Sequence, residues 1–258
     1  MRPLGLMVFG LLLTLAGCGP SPSPTGRNLL LQSYQASRDS DFPRVVGLTN
    51  RYLDEFRRSN RADEALYLRG HAYCRMIEPE RARADLLEAL DRSSHTELKA
   101  NAALALGELA MESGQLDEAQ QWYTRSLALE DRKGPAERAY LQLGVILQRQ
   151  GRWNDADIQF SRLAYLFEGP SARQARERMF SRAWTVQAGC FADRGRADNL
   201  AAQLLKGGLT PTVKPALTDS GMATAVQVGR YATYDEALAQ LATVRAAAGR
   251  AVQVVVTR

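Results

Sequence analysis

The sequence predicts two folded parts: an all-α repeat array over residues 28–170, then a small α+β domain with a four-stranded antiparallel sheet over residues 182–258. Three observations lead to this prediction. Glycine and alanine recur every 37 residues in the first part, the hydrophobic period changes from 3.6 to 2 near Trp184, and one strand motif occurs twice in the second part, 40 residues apart. With 45% hydrophobic and 24% charged residues, the composition is typical of folded protein.

Residues 1–17 have the pattern of an export signal. Arg2 supplies a basic start, and the apolar run over residues 4–15 is shorter than the roughly 20 residues that span a bilayer. Residues 15–18 read Leu-Ala-Gly-Cys, which resembles the lipobox of bacterial lipoproteins. The resemblance implies cleavage before Cys18, acylation of Cys18 and membrane attachment through that lipid. A signal cut elsewhere, with an incidental cysteine, is the alternative.

Two expectations follow for the residues next to this cysteine. Gly19, where inner-membrane lipoproteins often carry Asp, favours the periplasmic face of the outer membrane in the family that the lipobox resembles. Residues 18–27 are rich in Ser and Pro, a composition that tends to extended polyproline geometry. We therefore expect a short spacer between the lipid and the first helix.

The 37-residue repeat combines small and large residues at fixed positions. It places Gly first, Ala 12 residues later and a large apolar residue four residues after that, at Gly70, Ala82 and Leu86; at Gly107, Ala119 and Tyr123; and at Gly144, Ala156 and Phe160. Small residues let the two helices of a hairpin cross closely, and the large residue is expected to fill the gap to the next hairpin. Gly114 and Gly151 mark turns between helices. With an earlier degenerate copy, the pattern predicts four hairpins, followed by a capping or linking helix over residues 171–181.

These hairpins resemble the tetratricopeptide repeat (TPR), with three extra residues in each copy. The resemblance implies a solenoid whose concave face binds a peptide or protein partner. Aromatic residues at helical spacing are expected to form core rather than a ligand site: Tyr67, Tyr73, Trp122, Tyr123, Trp153 and Phe160. Residues 27–180 contain equal numbers of basic and acidic residues, so their net charge does not indicate which partner binds.

The second part repeats a strand, helix, strand unit. Val186 to Gly189 recurs as Val226 to Gly229, each followed by an aromatic residue, Phe191 or Tyr231. The predicted helices contain residues 199–204 and 236–241, and the strands that follow them are residues 209–214 and 251–257. This βαββαβ order predicts a ferredoxin-like or ribonucleoprotein-like layout with two helices on one sheet face. Alternation turns Val186, Ala188, Val226 and Val228 toward the helices, and Thr185, Gln187, Ala225 and Gln227 away from them.

The doubled Val-Gln-x-Gly-x-aromatic string resembles the SPOR domain, a peptidoglycan-binding module. The resemblance implies binding to glycan strands that lack stem peptides. The candidate glycan-binding residues are Thr185, Gln187, Thr212, Lys214 and Gln227 on the face away from the helices, together with Cys190 after the first motif glycine and the nearby cation Arg230. Side-chain amides and hydroxyls suit sugars, and the net charge of +4 over residues 182–258 suits the lactyl carboxylates of a denuded strand. The sequence departs from the family pattern at two places. Cys190 stands where the family frequently has Ser, and Ala223 to Ala225 stand where relatives carry an aromatic residue and Arg.

The sequence disfavours nucleic-acid binding, catalysis and metal binding. The candidate face lacks the aromatic side chains that stack on RNA bases, so no nucleic acid is expected. The sequence contains no nucleophile elbow, phosphate loop or metal-ligand spacing, so we expect neither an enzyme nor a cofactor beyond the lipid on Cys18. Cys74 is expected to be a buried thiol, and a disulfide between Cys74 and Cys190 is left open.

The leading hypothesis is a non-enzymatic, outer-membrane lipoprotein whose SPOR domain binds denuded septal glycan. Its solenoid would recruit a protein of cell division or wall remodelling. The alternative is an envelope-assembly or pilotin-like lipoprotein of secretion or pilus systems that uses its SPOR domain only as a wall tether. A third possibility is an activator of a wall amidase or transglycosylase.

Overall fold

The structure, a computed structural model, describes residues 19–218 and 221–257. The export signal and Cys18 lie outside the described residues. The chain divides into two compact units, residues 1–135 and 136–258, which are treated separately below. Within the described ranges no helix is both long and apolar enough to cross a bilayer.

The described part of the first unit consists of three antiparallel helical hairpins. Their helices are α1 (Pro24–Arg38), α2 (Phe42–Phe56), α3 (Ala62–Arg75), α4 (Pro79–Arg92), α5 (Thr96–Glu112) and α6 (Leu116–Leu129). The second unit begins with the fourth hairpin, α7 (Ala136–Arg149) and α8 (Trp153–Leu166), and the capping helix α9 (Pro170–Arg178). The four predicted hairpins and the capping helix are confirmed, although α1 begins four residues before the predicted start.

The predicted spacer is folded onto the first hairpin instead of being extended throughout. Ser23 caps α1, its hydroxyl accepting from the Gly26 amide at 3.2 Å, and Pro24 starts the helix where its missing amide hydrogen costs nothing. The Asn60 amide donates to the Pro20 carbonyl at 3.2 Å. Because a Cβ on Gly19 would lie 2.2 Å from the Arg58 carbonyl oxygen, the chain at Gly19 already contacts the turn after α2.

The recurring spacing of the repeat brings a large side chain onto each glycine. A Cβ on Gly70, Gly107 or Gly144 would lie 2.9, 2.7 or 2.4 Å from the side chain of Leu86, Tyr123 or Phe160, respectively. Each large residue therefore packs on the glycine of its own hairpin, and Leu86 also belongs to one buried cluster with Ala102 and Leu106 of the next hairpin. The three large side chains are at most 1% exposed. The glycine sets the distance between the two helices of each hairpin.

Two glycine substitutions test this packing. We expect Gly144→Ala to lower the free energy of unfolding by about 1–3 kcal/mol, because the added methyl group overlaps the Phe160 ring. Gly47 in α2 is the matched control, since a Cβ there meets nothing within 4 Å. Gly47→Ala should raise stability by about 0.5–1 kcal/mol through helix propensity alone. Urea denaturation measures both, and equal effects of the two substitutions would contradict the packing role of Gly144.

The turns inside the four hairpins share one backbone conformation. Ser40, Ile77, Gly114 and Gly151 are spaced by 37 residues and have φ angles of 59°, 61°, 73° and 75°. This left-handed region suits glycine and disfavours β-branched residues. Ile77 is the exception, because it holds this conformation with a side chain that is 88% exposed.

We expect Ile77→Gly to raise the free energy of unfolding by about 1 kcal/mol, since the left-handed conformation costs roughly 1–2 kcal/mol for a residue with a Cβ. Ile77→Ala is the control, because it removes the exposed apolar atoms and keeps the Cβ. Thermal or urea denaturation compares the two. A larger gain from alanine than from glycine would assign the effect to the exposed side chain instead of the backbone.

The second unit continues with the predicted α+β domain. Its strands and helices are β1 (Ala183–Phe191), α10 (Arg194–Lys206), β2 (Pro211–Thr218), β3 (Gly221–Tyr231), α11 (Tyr234–Ala239), α12 (Leu241–Ala248) and β4 (Gln253–Thr257). The antiparallel sheet has the order β2-β3-β1-β4, which confirms the ferredoxin-like layout. The second predicted helix is divided into α11 and α12 at Gln240, whose amide N–H donates to the Ala237 carbonyl three residues earlier. The bounds of β2 and β4 also differ from the predicted ones.

The core of the α+β domain lies between the sheet and its helices. Val186, Ala188, Val226 and Val228 are at most 4% exposed and pack with residues of α10 and α12, as predicted. Phe191 and Tyr231 pack against the same core. The opposite sheet face therefore carries the remaining side chains of the central strands.

The α+β domain also packs on the fourth hairpin of its own unit. Trp184 in β1 is 3% exposed, and its ring lies 6.0 Å from Trp153 and 5.0 Å from Tyr234. Its indole N–H donates to the Gln148 carbonyl at 2.8 Å. Asp157 in α8 accepts from the Phe180 amide and pairs with Arg182 at 2.8 Å. Helices α7–α9 and the sheet are thus joined by an aromatic cluster around the buried Trp184 and by polar contacts.

Candidate functional site

A row of polar side chains crosses the sheet on the face away from the helices. In the strand register, Thr212 lies opposite Gln227, Gln227 opposite Gln187, and Gln187 opposite Gln253. Directly paired residues share a face, so all four strands contribute to this row. Thr212 and Gln253 at the edges are exposed, Gln187 is half-buried and Gln227 is buried. We call these four residues the polar row.

A hydrogen-bond chain connects a cation to this row. Lys214 donates to the Thr257 hydroxyl, which donates to Gln227 Oε1 at 3.5 Å. The Gln227 amide nitrogen then donates to Gln187 Oε1 at 3.4 Å. An ammonium group can only donate hydrogen bonds. Because Lys214 starts this series, each following side chain accepts from the one before it and donates to the next. The amide hydrogens of Gln187 remain as the donors at the end of the chain.

Lys214 and Arg230 make this side of the sheet electropositive. Burial lowers the pKa of Lys214, and the positive charge of Arg230 lowers it further. Arg230 itself is exposed and follows Gly229 in β3. A nearby anion would relieve the repulsion between the two cations, so the arrangement suits a ligand that carries carboxylates.

The other predicted glycan-binding residues are less exposed to a ligand than strand alternation suggested. Thr185 is 1% exposed, and its hydroxyl donates to the carbonyls of Val228 and Gly229 at 3.1 and 2.8 Å. Gln227 is 7% exposed and acts within the hydrogen-bond chain. Thr185 therefore has a bonded, buried hydroxyl, and Gln227 supports its neighbours. Cys190 is half-buried and lies opposite Ala225, the residue that also faces Lys214.

A cavity of about 260 Å³ adjoins one end of the polar row. It is lined by Gln187, Ala188, Gly189, Cys190, Ala251, Val252 and Gln253. Two glutamines from adjacent strands line this cavity, and no lining residue is charged. Sequence reasoning missed Gln253 and Thr257, because both belong to β4 and neither lies in the repeated motif.

The repeated motif has a packing explanation. A Cβ on Gly189 would lie 2.6 Å from the Phe191 ring, and a Cβ on Gly229 would lie 2.1 Å from the Tyr231 hydroxyl. Each aromatic ring folds back over the glycine two residues before it. Gly229 also has φ +75°, which favours glycine on its own. The motif thus fixes the ends of β1 and β3 and positions Gln187 and Gln227.

The first unit contains a larger cavity, of about 550 Å³, between the first helices of its hairpins. Its lining residues include Tyr34, Glu64, Tyr67, Leu98 and Asn101. Tyr34 donates to Glu64 at 2.9 Å, and burial together with the Glu64 carboxylate raises the pKa of this phenol. Tyr67 was predicted to be core, yet it is half-buried and lines this cavity.

The remaining predicted aromatic residues and the two described cysteines are buried or half-buried. Tyr73, Tyr123 and Phe160 are core residues, as predicted, whereas Trp122 and Trp153 are half-buried. Cys74 and Cys190 are free thiols, each half-buried within its own unit. Burial raises the pKa of Cys74 to about 12, which keeps this thiol protonated. In the part of the chain that the structure describes, no group of His, Cys, Asp and Glu has a metal-binding arrangement.

Comparison with protein families finds one match in each part of the chain. Residues 181–257 match the SPOR domain, and residues 100–132 match a tetratricopeptide repeat. SPOR domains bind peptidoglycan, TPR domains bind peptides or proteins, and both are non-catalytic binding domains. The comparison with curated proteins gives no match.

Solved structures with a similar fold are TPR proteins. A tetratricopeptide repeat protein from Parabacteroides merdae has a TM-score of 0.52 and 15% identity over 68% of this chain and 62% of its own. The apo form of RapI has a TM-score of 0.50 and 16% identity over 71% of this chain and 62% of its own. The chain thus spans less than two thirds of the length of either protein, and at these identities the likeness concerns the fold alone.

Proposed function

We propose that this chain, which joins TPR hairpins to a SPOR domain, is a periplasmic lipoprotein that binds denuded, septal glycan strands. Its anchor is a lipid on Cys18 in the outer membrane, and its solenoid holds a protein of cell division or wall remodelling. The observation that carries the glycan part is the polar row, in which amides and a hydroxyl from four strands lie beside Lys214 and Arg230.

The chemistry of a denuded strand supports this proposal. Removal of the stem peptide leaves a lactyl carboxylate on each muramic acid, so the strand combines neutral sugar hydroxyls and amides with regularly spaced anions. The polar row offers donors and acceptors to the sugars, while Lys214 and Arg230 suit the carboxylates. Intact strands carry peptides in place of the free carboxylates and fit this surface less well.

The solenoid supports the second half of the proposal. The cavity between the first helices of its hairpins presents two phenols and an amide, groups that bind peptide backbones. We expect deletion of residues 182–257 to abolish septal enrichment in cells. The cavity itself is tested by substituting Tyr34 and Tyr67. If these variants lose secretion or pilus assembly but keep normal septal enrichment, the envelope-assembly alternative is favoured.

Sacculi provide the direct test of glycan binding. We expect the purified protein to sediment with amidase-treated sacculi more than with intact sacculi, and Gln187→Ala to reduce this binding about tenfold, as expected for one lost polar anchor at about 1.4 kcal/mol. Gln121→Ala, on the exposed surface of α6, is the matched control. Equal sedimentation with both kinds of sacculi would refute recognition of denuded strands.

A further inference from the structure

We propose that the cavity beside Gln187 and Gln253 is a subsite for the N-acetamido group of an amino sugar. This inference rests on the proposed function, because it assigns one chemical group of the glycan strand to one end of the polar row. The lactyl carboxylates lie instead with Lys214 and Arg230.

The size and lining of the cavity point to a small, neutral group. Its volume of about 260 Å³ is below the roughly 300–1,000 Å³ of pockets that enclose whole ligands. It therefore fits one substituent and the adjoining ring edge of a longer chain. None of its lining side chains is charged, which disfavours a carboxylate or an amine as the occupant.

The polar groups match both ends of an amide. The hydrogen-bond chain that starts at Lys214 commits Gln187 Oε1 to accepting, so the Gln187 amide hydrogens are available for a ligand carbonyl oxygen. Gln253 lies directly opposite Gln187 in β4, and its amide offers an acceptor for the ligand N–H. Paired amides of this kind recognise a secondary amide.

The remaining wall suits a methyl group. Ala251 and Val252 line the cavity between α12 and β4, and Val252 packs against the core of the domain. An acetamido group places its methyl group next to these apolar atoms and its polar atoms next to the two glutamines.

Chemically altered strands test this subsite in the purified protein. Denuded strands are compared before de-N-acetylation, after it, and after re-acetylation. We expect binding to fall at least tenfold when the acetyl groups are removed and to return when they are restored. We also expect Gln253→Ala to weaken binding to acetylated strands about tenfold and to remove most of the dependence on acetylation.

The comparison between variants separates amide recognition from charge. De-N-acetylation creates ammonium groups, whose repulsion by Lys214 and Arg230 acts equally on the wild type and on Gln253→Ala. The subsite is therefore measured by the difference between the wild type and Gln253→Ala in their preference for acetylated strands. An unchanged preference of Gln253→Ala for acetylated strands overturns the subsite. Absence of binding to any denuded strand overturns the proposed function itself, whereas equal binding to all three strands overturns only the subsite.

Discussion

Trp184→Ala is expected to lower the local free energy of unfolding around β1 by about 3–5 kcal/mol, the range for truncation of a large buried aromatic side chain. The substitution removes ring contacts with Trp153 and Tyr234 and the indole hydrogen bond to Gln148. Because these partners belong to α7, α8 and α11, both the hairpin and the sheet should lose stability. Native-state hydrogen exchange measures this change amide by amide.

Trp184→Phe separates packing from hydrogen bonding. It keeps an aromatic ring and leaves the Gln148 carbonyl without its indole donor, so we expect a smaller loss of about 1–3 kcal/mol. A fragment beginning at residue 136 should likewise be more stable than one beginning at residue 182. Unchanged exchange in α7 and α8 after Trp184→Ala would show that the aromatic cluster does not couple the two parts.

Lys214→Met is expected to weaken binding to denuded strands by about tenfold or more, since a hydrogen bond to a charged group contributes roughly 1.5–3 kcal/mol. The substitution removes a cation and also the first donor of the chain through Thr257 to Gln187. We further expect a weaker salt dependence of binding, because one charge contact is lost. Isothermal titration at two salt concentrations measures both effects.

Lys206→Met is the matched control, because Lys206 is an exposed cation in the last turn of α10. It should leave binding unchanged while altering the net charge equally. A similar loss for both variants would show that total charge, rather than the position of Lys214, governs binding. An intact affinity in Lys214→Met would remove this residue from the glycan site.

Much of the fold could be predicted because its determinants are local and periodic. The 37-residue spacing of glycines predicted the hairpins, and the doubled Val-Gln-x-Gly string predicted the strands. The direct packing of each large residue on the glycine of its own hairpin was not predicted. A large residue that shares a face with Ala can reach either hairpin, and only the three-dimensional packing places Phe160 on Gly144.

The candidate site was predicted less completely, because sheet register depends on long-range pairing. The position of Gln187 followed from alternation within one strand. The pairing of Gln253 with Gln187 depends on where β4 begins, and no local signal in Ala251 to Thr257 fixes this start. Alternation within β1 did not reveal that the carbonyls of Val228 and Gly229 in β3 accept from the buried Thr185 hydroxyl.

Under the proposed lipid anchor on Cys18, the folded segment before α1 would limit how far the molecule extends from its membrane. Nine free residues would form a leash of roughly 30 Å, whereas a single residue covers about 4 Å. Since Gly19 already contacts the turn at Arg58, acyl chains on Cys18 would hold the first hairpin against the lipid headgroups. The reach toward the wall is then determined by the folded protein and not by a slack tether.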